Sequence, residues 1–243
     1  MASALIFAGG AGRRMSSRSK PKQFLEMHGK PIIIYTLEHF EFHDDIENII
    51  IVCLAEWIGE LEGLLKRYGI TKVIKIVPGG ETGHDSIYNG LAAMKDVVQD
   101  KDIVLIHDGV RPLINAELIS AGIEAVKKYG SAITVEAARE SVVRSRDGEN
   151  ISDVPPRNQM YVAKAPQAFC FGDIFKLYQK AREDGIKTID SSHLCSIYHV
   201  PMHMVPSTKN NLKITEPADF YVYRAVRGAA DIWVMRGNRG EKV

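Results

Sequence analysis

The sequence predicts an α/β fold with three layers, in which helices cover both faces of a mostly parallel, twisted sheet. Three observations lead there. Short β-branched runs alternate with amphipathic stretches between Leu5 and Val135. Those amphipathic stretches are long enough for right-handed crossovers between parallel strands. The turns Gly9 to Gly12, Pro78-Gly79-Gly80 and His107 to Pro112 all fall where strands end, on the rim where parallel sheets carry their ligands.

The first strand empties into Gly9-Gly10-Ala11-Gly12, and Arg13, Arg14, Lys20 and Lys22 follow. Glycines let backbone N–H groups approach an anion closely, and the basic heads neutralise it. A chain of phosphates is an anion that needs so many donors. The spacing fits neither G-x-x-x-x-G-K-[ST] nor G-x-G-x-x-G.

Pro31 to Phe42 reads as a helix, with Ile33, Ile34, Leu37 and Phe40 at helical spacing behind a proline. Ile46 to Cys53 reads as a strand buried on both faces. Glu56 to Tyr68 is helical, Thr71 to Val77 a strand and Asp85 to Val98 a helix. Asp102 to Ile106 is a strand, Asn115 to Tyr129 a helix and Ser131 to Val135 a further strand.

The rhythm then changes. Ser141 to Ser145 and Asn150 to Val154 flank Arg146-Asp147-Gly148-Glu149, where Asp-Gly favours a hairpin turn. This pair is thin in core residues, so it is expected to project and to pack on a second copy of the chain, since an isolated hairpin is marginal in water. Ala165 to Phe171 returns to the body, Gly172 to Asp184 and Ser191 to His199 are helical, and Pro201 to Val205 is strand-like. Glu216 to Met235 is a closing helix with an apolar core-facing stripe, and 237–243 is a polar, frayed tail.

Bulk numbers limit the function. The 243 residues are 45% hydrophobic and 25% charged, with a formal net charge of +1, which suits one large globular domain and offers no nucleic-acid groove. No apolar run is long enough for a membrane span, and no leader pattern precedes the first strand. Cys53, Cys170 and Cys195 have no metal-ligand spacing and read as reduced thiols of a cytoplasmic protein. His28, His84 and His107 likewise stand alone and read as packing or surface residues.

Five ordered motifs, taken together, carry a resemblance. They are Ala8-Gly9-Gly10-x-Gly12-x-Arg14-Met15, Pro21-Lys22-Gln23, His107-Asp108-x-x-Arg111-Pro112, Pro166-Gln167-x-Phe169 and Asn211-Leu212-Lys213-Ile214-Thr215. From about residue 3 to 230 the chain resembles the cytidylyltransferases of polyol phosphates, the family of the 2-C-methyl-D-erythritol 4-phosphate and ribitol-5-phosphate enzymes. The resemblance implies a nucleotidyltransferase domain over 1–236 with a dimerisation arm at about 138–160. It also implies transfer of CMP from CTP to a polyol phosphate, with Mg2+ bound and pyrophosphate released. Two anions must meet, so charge neutralisation and positioning carry such a reaction.

Carried over by residue, the resemblance gives Arg14 and Lys22 the triphosphate and Lys213 the α-phosphate. The backbone of Ala8, Gly9, Gly10, Ala11 and Gly12 would cradle the nucleotide, Gly80 and Ser86 would read cytosine, and Asp108 and Gly109 would meet the ribose and the metal. Arg111 would support the acceptor side. Arg157 and Ser141, on the arm, would hold the polyol phosphate in a site shared across a homodimer.

Four positions depart from the methylerythritol-phosphate pattern. Ala165 stands where that group has Thr, Ile189-Asp190-Ser191 replaces a Thr-Asp-Glu-like stretch, Gly83 lies where an Arg is usual, and Gly109-Val110 is closer to a ribitol-type Ser-Val. Lost hydroxyls and a lost cation change which polyol a buried site accepts. A longer alditol phosphate such as ribitol 5-phosphate is therefore the expected acceptor, with methylerythritol phosphate as the alternative. Teichoic-acid or capsule building would use the first product, isoprenoid synthesis the second. Another nucleotidylyltransferase, a dinucleotide oxidoreductase and a non-catalytic binding protein are the rival classes. The Pro21-Lys22-Gln23 motif, the missing third glycine and the complete Arg14, Lys22 and Lys213 set argue against them in turn.

Overall fold

The computed structural model describes residues 1–10, 20–208 and 210–237. In chain order its elements are β1 (Ala2–Ala8), β2 (Glu26–Met27), β3 (Lys30–Pro31), α1 (Ile32–Glu41), β4 (Ile46–Cys53), α2 (Ile58–Tyr68), β5 (Val73–Pro78) and α3 (Gly83–Met94). They continue as β6 (Ile103–Asp108), α4 (Ala116–Tyr129), β7 (Ser131–Ala137), β8 (Tyr161–Cys170), α5 (Phe171–Glu183), α6 (Ser191–Ile197), β9 (Met204–Pro206) and α7 (Pro217–Gly237).

The seven-stranded sheet has the order β5-β4-β1-β6-β8-β7-β9. Strands β5, β4, β1 and β6 are mutually parallel, as the helical crossovers between them require. Strand β8 is the exception, antiparallel to both β6 and β7. Between β7 and β8 there is a short 3₁₀ turn, Arg157–Gln159, and no α-helix, so the chain comes straight back from the arm and reverses direction.

Period-2 alternation divides the core between the two faces of the sheet. Ile49 and Ile51 of β4 pack with Leu37 and Phe40 of α1, Leu61 of α2 and Ile119 of α4. Ile50 and Val52, the alternate residues, pack with Leu91 of α3 and Ile174 and Tyr178 of α5. A third cluster joins Ile32 and Tyr35 of α1 to Val110, Ile214 and Tyr223. It clamps α7 and the segment before it against the rim of the sheet. In the described part of α7, Tyr223 is buried while Tyr221 and Val222 are exposed.

Element boundaries shift for local reasons. Helix α3 starts before Asp85, because Thr82 and Asp85 form a reciprocal capping box that satisfies its first N–H groups. The hairpin is reduced to a single antiparallel bridge, Arg144 to Asp153. Its turn forms as expected: Gly148 has a φ of 82°, and Asp147 Oδ1 accepts from Ser145 Oγ and from the N–H groups of Glu149 and Asn150. A longer ladder does not form, and Val142, Val143, Ile151 and Val154 stay exposed among the described residues. Of the predicted tail, 237–243, Gly237 is the last residue of α7 and 238–243 lie outside the described residues.

Candidate active site

Strands β1 and β6 are neighbours and parallel, so their carboxyl ends open side by side. The Gly109 N–H donates to the Phe7 carbonyl at 3.0 Å, and a Cβ on Gly109 would lie 3.2 Å from that of Ala8. Glycine is what lets the two turns meet. The Gln23 side-chain amide donates to the Ala8 carbonyl and, at 3.4 Å, to that of Gly10. Gln23 is buried in the turn Lys22–Phe24, so the Pro-Lys-Gln motif holds the glycine turn in shape from behind.

Across the rim, Ser86 Oγ accepts from the Gly80 N–H at 3.0 Å and donates to the Thr82 carbonyl at 2.9 Å. A Cβ on Gly80 would come within 2.4 Å of Asp85 Cβ, and one on Gly9 within 3.5 Å of Ser86 Oγ. The expected base-reading pair, Gly80 and Ser86, therefore stands directly beside the expected phosphate turn at Gly9.

Beyond this lies a cleft of about 230 Å³, whose lining includes Phe7, Asp108, Arg111, Lys164, Ala165, Gln167, Ile189, Asp190 and Lys213. Sheet pairing explains why it exists. The β6 to β8 ladder stops at Ile106 and Gln167. On the other side of β8, Ile133 pairs with Gln167 and Val135 with Ala163, so residues 164–166 bulge opposite Thr134 alone. Strand β8 leaves β6 at that bulge and the gap is the cleft. The buried Asn211 crosses it, donating from Nδ2 to the Ala165 carbonyl at 2.7 Å.

Asp108 is the centre of charge. Its carboxylate is 5% exposed and is held by Arg111 Nε at 2.7 Å and by Lys213 Nζ at 2.7 Å. Burial alone would raise its pKa, but Lys213 and Arg111 outweigh it and leave the group at about 2. Arg111 also donates to the Asn211 carbonyl at 3.2 Å, and Lys213 lies 5.7 Å from the Phe7 ring centroid. Two cations thus share one anion at the mouth of the site, and net positive charge remains for a polyphosphate.

The neighbouring His107 is buried, and desolvation takes its pKa down to about 3. Its Nε2 meets the Arg111 carbonyl at 3.1 Å, which ties the end of β6 to the turn that follows. His84, buried against Tyr178, is also a packing residue.

Among the described residues no three His, Cys, Asp or Glu side chains cluster to hold a metal. Among the described residues, Asp108 at the end of β6 offers a carboxylate to a cation that keeps most of its shell as water and phosphate oxygen. Mg2+ binds in that way, and the donor set fits it.

Of the expected site residues, Ala8, Gly9, Gly10, Gly80, Ser86, Asp108, Gly109, Arg111 and Lys213 come to one rim. Lys22 is close enough for its charge to help lower the pKa of Asp219, which caps α7 just after Lys213 by accepting from Thr215 and Glu216. Ala11, Gly12 and Arg14 lie outside the described residues. Ser141 and Arg157 sit on the exposed arm and do not line the cleft. Arg157 donates to the Arg139 carbonyl at 3.4 Å.

Gln23, Lys164, Gln167 and Asp190 had no assigned part. Gln167 accepts from the Ser192 N–H at 3.0 Å, and Asp190 caps α6 through the His193 N–H at 2.8 Å. Gln23 and Gln167 lie inside motifs already singled out. Lys164 carries no sequence signal, because only the bulge turns it into the cleft.

Comparison with known proteins identifies the family. Residues 2–227 match the family described as IspD: 2-C-methyl-D-erythritol 4-phosphate cytidylyltransferase. A ribitol-5-phosphate cytidylyltransferase of Streptococcus agalactiae serotype Ia is 46% identical, over 93% of this chain and 95% of that protein. A 2-C-methyl-D-erythritol 4-phosphate cytidylyltransferase of Clostridium botulinum is 35% identical, over 89% of this chain and 93% of that protein. The crystal structure of 4-diphosphocytidyl-2C-methyl-D-erythritol synthase from Anaerococcus prevotii superposes with a TM-score of 0.80 at 27% identity, covering 93% of this chain and 96% of that one.

Proposed function

The chain belongs to this cytidylyltransferase family, and from that premise we propose that its acceptor is a longer alditol phosphate of the ribitol 5-phosphate type. The observation that carries the choice is the gap between 46% identity to a ribitol-5-phosphate enzyme and 35% to a methylerythritol-phosphate enzyme over nearly the same span. The cleft wall is in keeping with it, since Ala165 and Ile189 offer no hydroxyl to a shorter, branched polyol. Methylerythritol phosphate is the second reading, favoured by the family description itself.

In this reading an oxygen of the acceptor phosphate attacks the α-phosphorus of CTP, a new P–O bond forms, and pyrophosphate leaves with the bridging oxygen. Lys213 neutralises the α-phosphate as charge moves through it. Arg14 and Lys22 hold the β- and γ-phosphates while the glycine turn and Gln23 fix the path of the triphosphate. Gly80 and Ser86 border the cytosine. Mg2+, held by Asp108 and phosphate oxygens, would supply further charge neutralisation. Arg111 keeps Asp108 aimed. Ser141 and Arg157 reach the acceptor from the arm of a second copy, so the working unit is a homodimer, acting in the cytoplasm where CTP is available.

A panel of purified polyol phosphates with CTP, read by pyrophosphate release, tests the proposal. Ribitol 5-phosphate should give the highest kcat/KM. Exclusive use of methylerythritol phosphate would reverse the ranking, and equal turnover of UTP or ATP would remove the cytosine assignment.

A further inference from the structure

The cationic heads among the described residues lining the cleft are Arg111, Lys164 and Lys213. Two of them serve Asp108. Lys164 does not: its Nζ lies 2.6 Å from Glu136 Oε2 and donates to the Asn211 carbonyl at 3.2 Å. The other Glu136 oxygen, Oε1, lies 2.6 Å from Arg139 Nη2. Arg139 is the start of the arm, and its carbonyl accepts from Arg157. Glu136 is thus shared between a cation of the cleft wall and a cation at the root of the arm.

We propose that Lys164 is a further acceptor-binding residue, gripping the phosphate of the polyol phosphate, and that Glu136 positions it and ties it to the root of the arm. The inference rests on the polyol-phosphate reading above. An ammonium has three N–H donors, and Glu136 and the Asn211 carbonyl take two. The third belongs to a head that lines the cleft. The side chain is only 18% exposed, so the head is held in place before ligand arrives and little rotamer freedom remains to be lost. The carboxyl of Glu136 is drawn below its usual pKa, chiefly by the hydrogen bond from Lys164, so this carboxylate stays charged at neutral pH. The same Asn211 carbonyl also accepts from Arg111. Lys164 and the Asp108 cluster therefore converge on the backbone two residues before Lys213, and an arm that shifts Arg139 would pull on Glu136 and on Lys164.

The test separates KM from kcat for each substrate in the full-length protein. K164M should raise the KM for the acceptor roughly 10- to 100-fold, the size of one charge-assisted hydrogen bond, with the KM for CTP unchanged. K164R should restore most of the loss. E136Q, which keeps shape and removes charge, should raise the same KM roughly threefold or more and add nothing on top of K164M, since the two act as one unit. Hydrogen exchange at residues 137–141 should quicken in E136Q without any substrate. A K164M protein with normal acceptor KM, or with equal rises for both substrates, overturns the proposal while leaving the transferase reading intact. Unchanged exchange in E136Q overturns the tie to the arm. Wild-type protein that turns over no polyol phosphate overturns the reading and this inference with it. Should K164M fail to fold by circular dichroism, K164R and E136Q read the same KM.

Discussion

The rim formed by β1, β6 and the segment before α7 differs from the arm at 138–160 in almost every physical respect. At the rim each polar side chain has an inward partner: Gln23 on the Ala8 carbonyl, Ser86 on the Gly80 N–H, Asp108 between Arg111 and Lys213. The arm has one bridge between its two legs and leaves four aliphatic side chains in solvent. A preorganised rim can meet a transition state without rearranging. An arm that buries nothing of its own needs another surface before it has a shape. The difference teaches that the rim is ordered by contacts within one chain, whereas the arm is the part on which the proposed second copy has to be tested.

Lys213 gives the largest expected effect on the finished half. K213A removes charge stabilisation at the reacting phosphate and should lower kcat by about 10²- to 10³-fold, measured by pyrophosphate release. The side chain is 38% exposed, so circular dichroism should show a folded protein. Near-normal kcat would mean that the rim is preorganised for something other than transfer.

Asp108 comes next. D108A leaves Arg111 and Lys213 facing each other without an anion and should cost about 2–4 kcal/mol of stability in urea unfolding, below the upper limit for a buried pair because Lys213 is partly solvated. The pH dependence has a definite sign. Lys213 and Arg111 hold the folded carboxyl at about 2, below the ordinary aspartate value of 3.8, so its contribution is complete above about pH 4 and drains away as the pH falls toward 2. The melting-temperature gap between wild type and D108N should close over that window. A constant gap would mean that the ion pairs do not stabilise the rim.

Gln23 should matter less. Q23A removes two hydrogen bonds behind the glycine turn, at about 1–2 kcal/mol for the Ala8 carbonyl left buried. The KM for CTP should rise roughly tenfold with little change in the acceptor KM, which would assign the motif to the nucleotide side.

Legibility followed the same division. Strand ends and glycine turns are local features, so the alternation around Ile46–Cys53 and the turn at Gly80 were readable in one dimension. Asp108 and Lys213 were readable as motif members, yet their ion pair depends on Ile214 packing with Val110 and Tyr223, a contact between distant segments. Lys164 was silent because its direction is set by a register shift against β7, which no residue pattern announces. The antiparallel sense of β8 follows from a missing crossover helix, a feature visible only once the arm is seen to hold none.

The arm offers the smallest effect on stability and the sharpest test of the comparison. I151D places a charge on a side chain that is 64% exposed, so the single chain should change by no more than about 0.5 kcal/mol. If Ile151 and its neighbours are covered only by a second copy, the same change should convert a dimer to a monomer in sedimentation. It should also make specific activity fall on dilution at concentrations where wild type holds constant. Melting at low protein concentration should stay that of wild-type monomer, because nothing inside the chain leans on Ile151. A dimer that survives I151D with full activity would mean that the arm's aliphatic face has another use, and that Ser141 and Arg157 must reach the acceptor from their own chain.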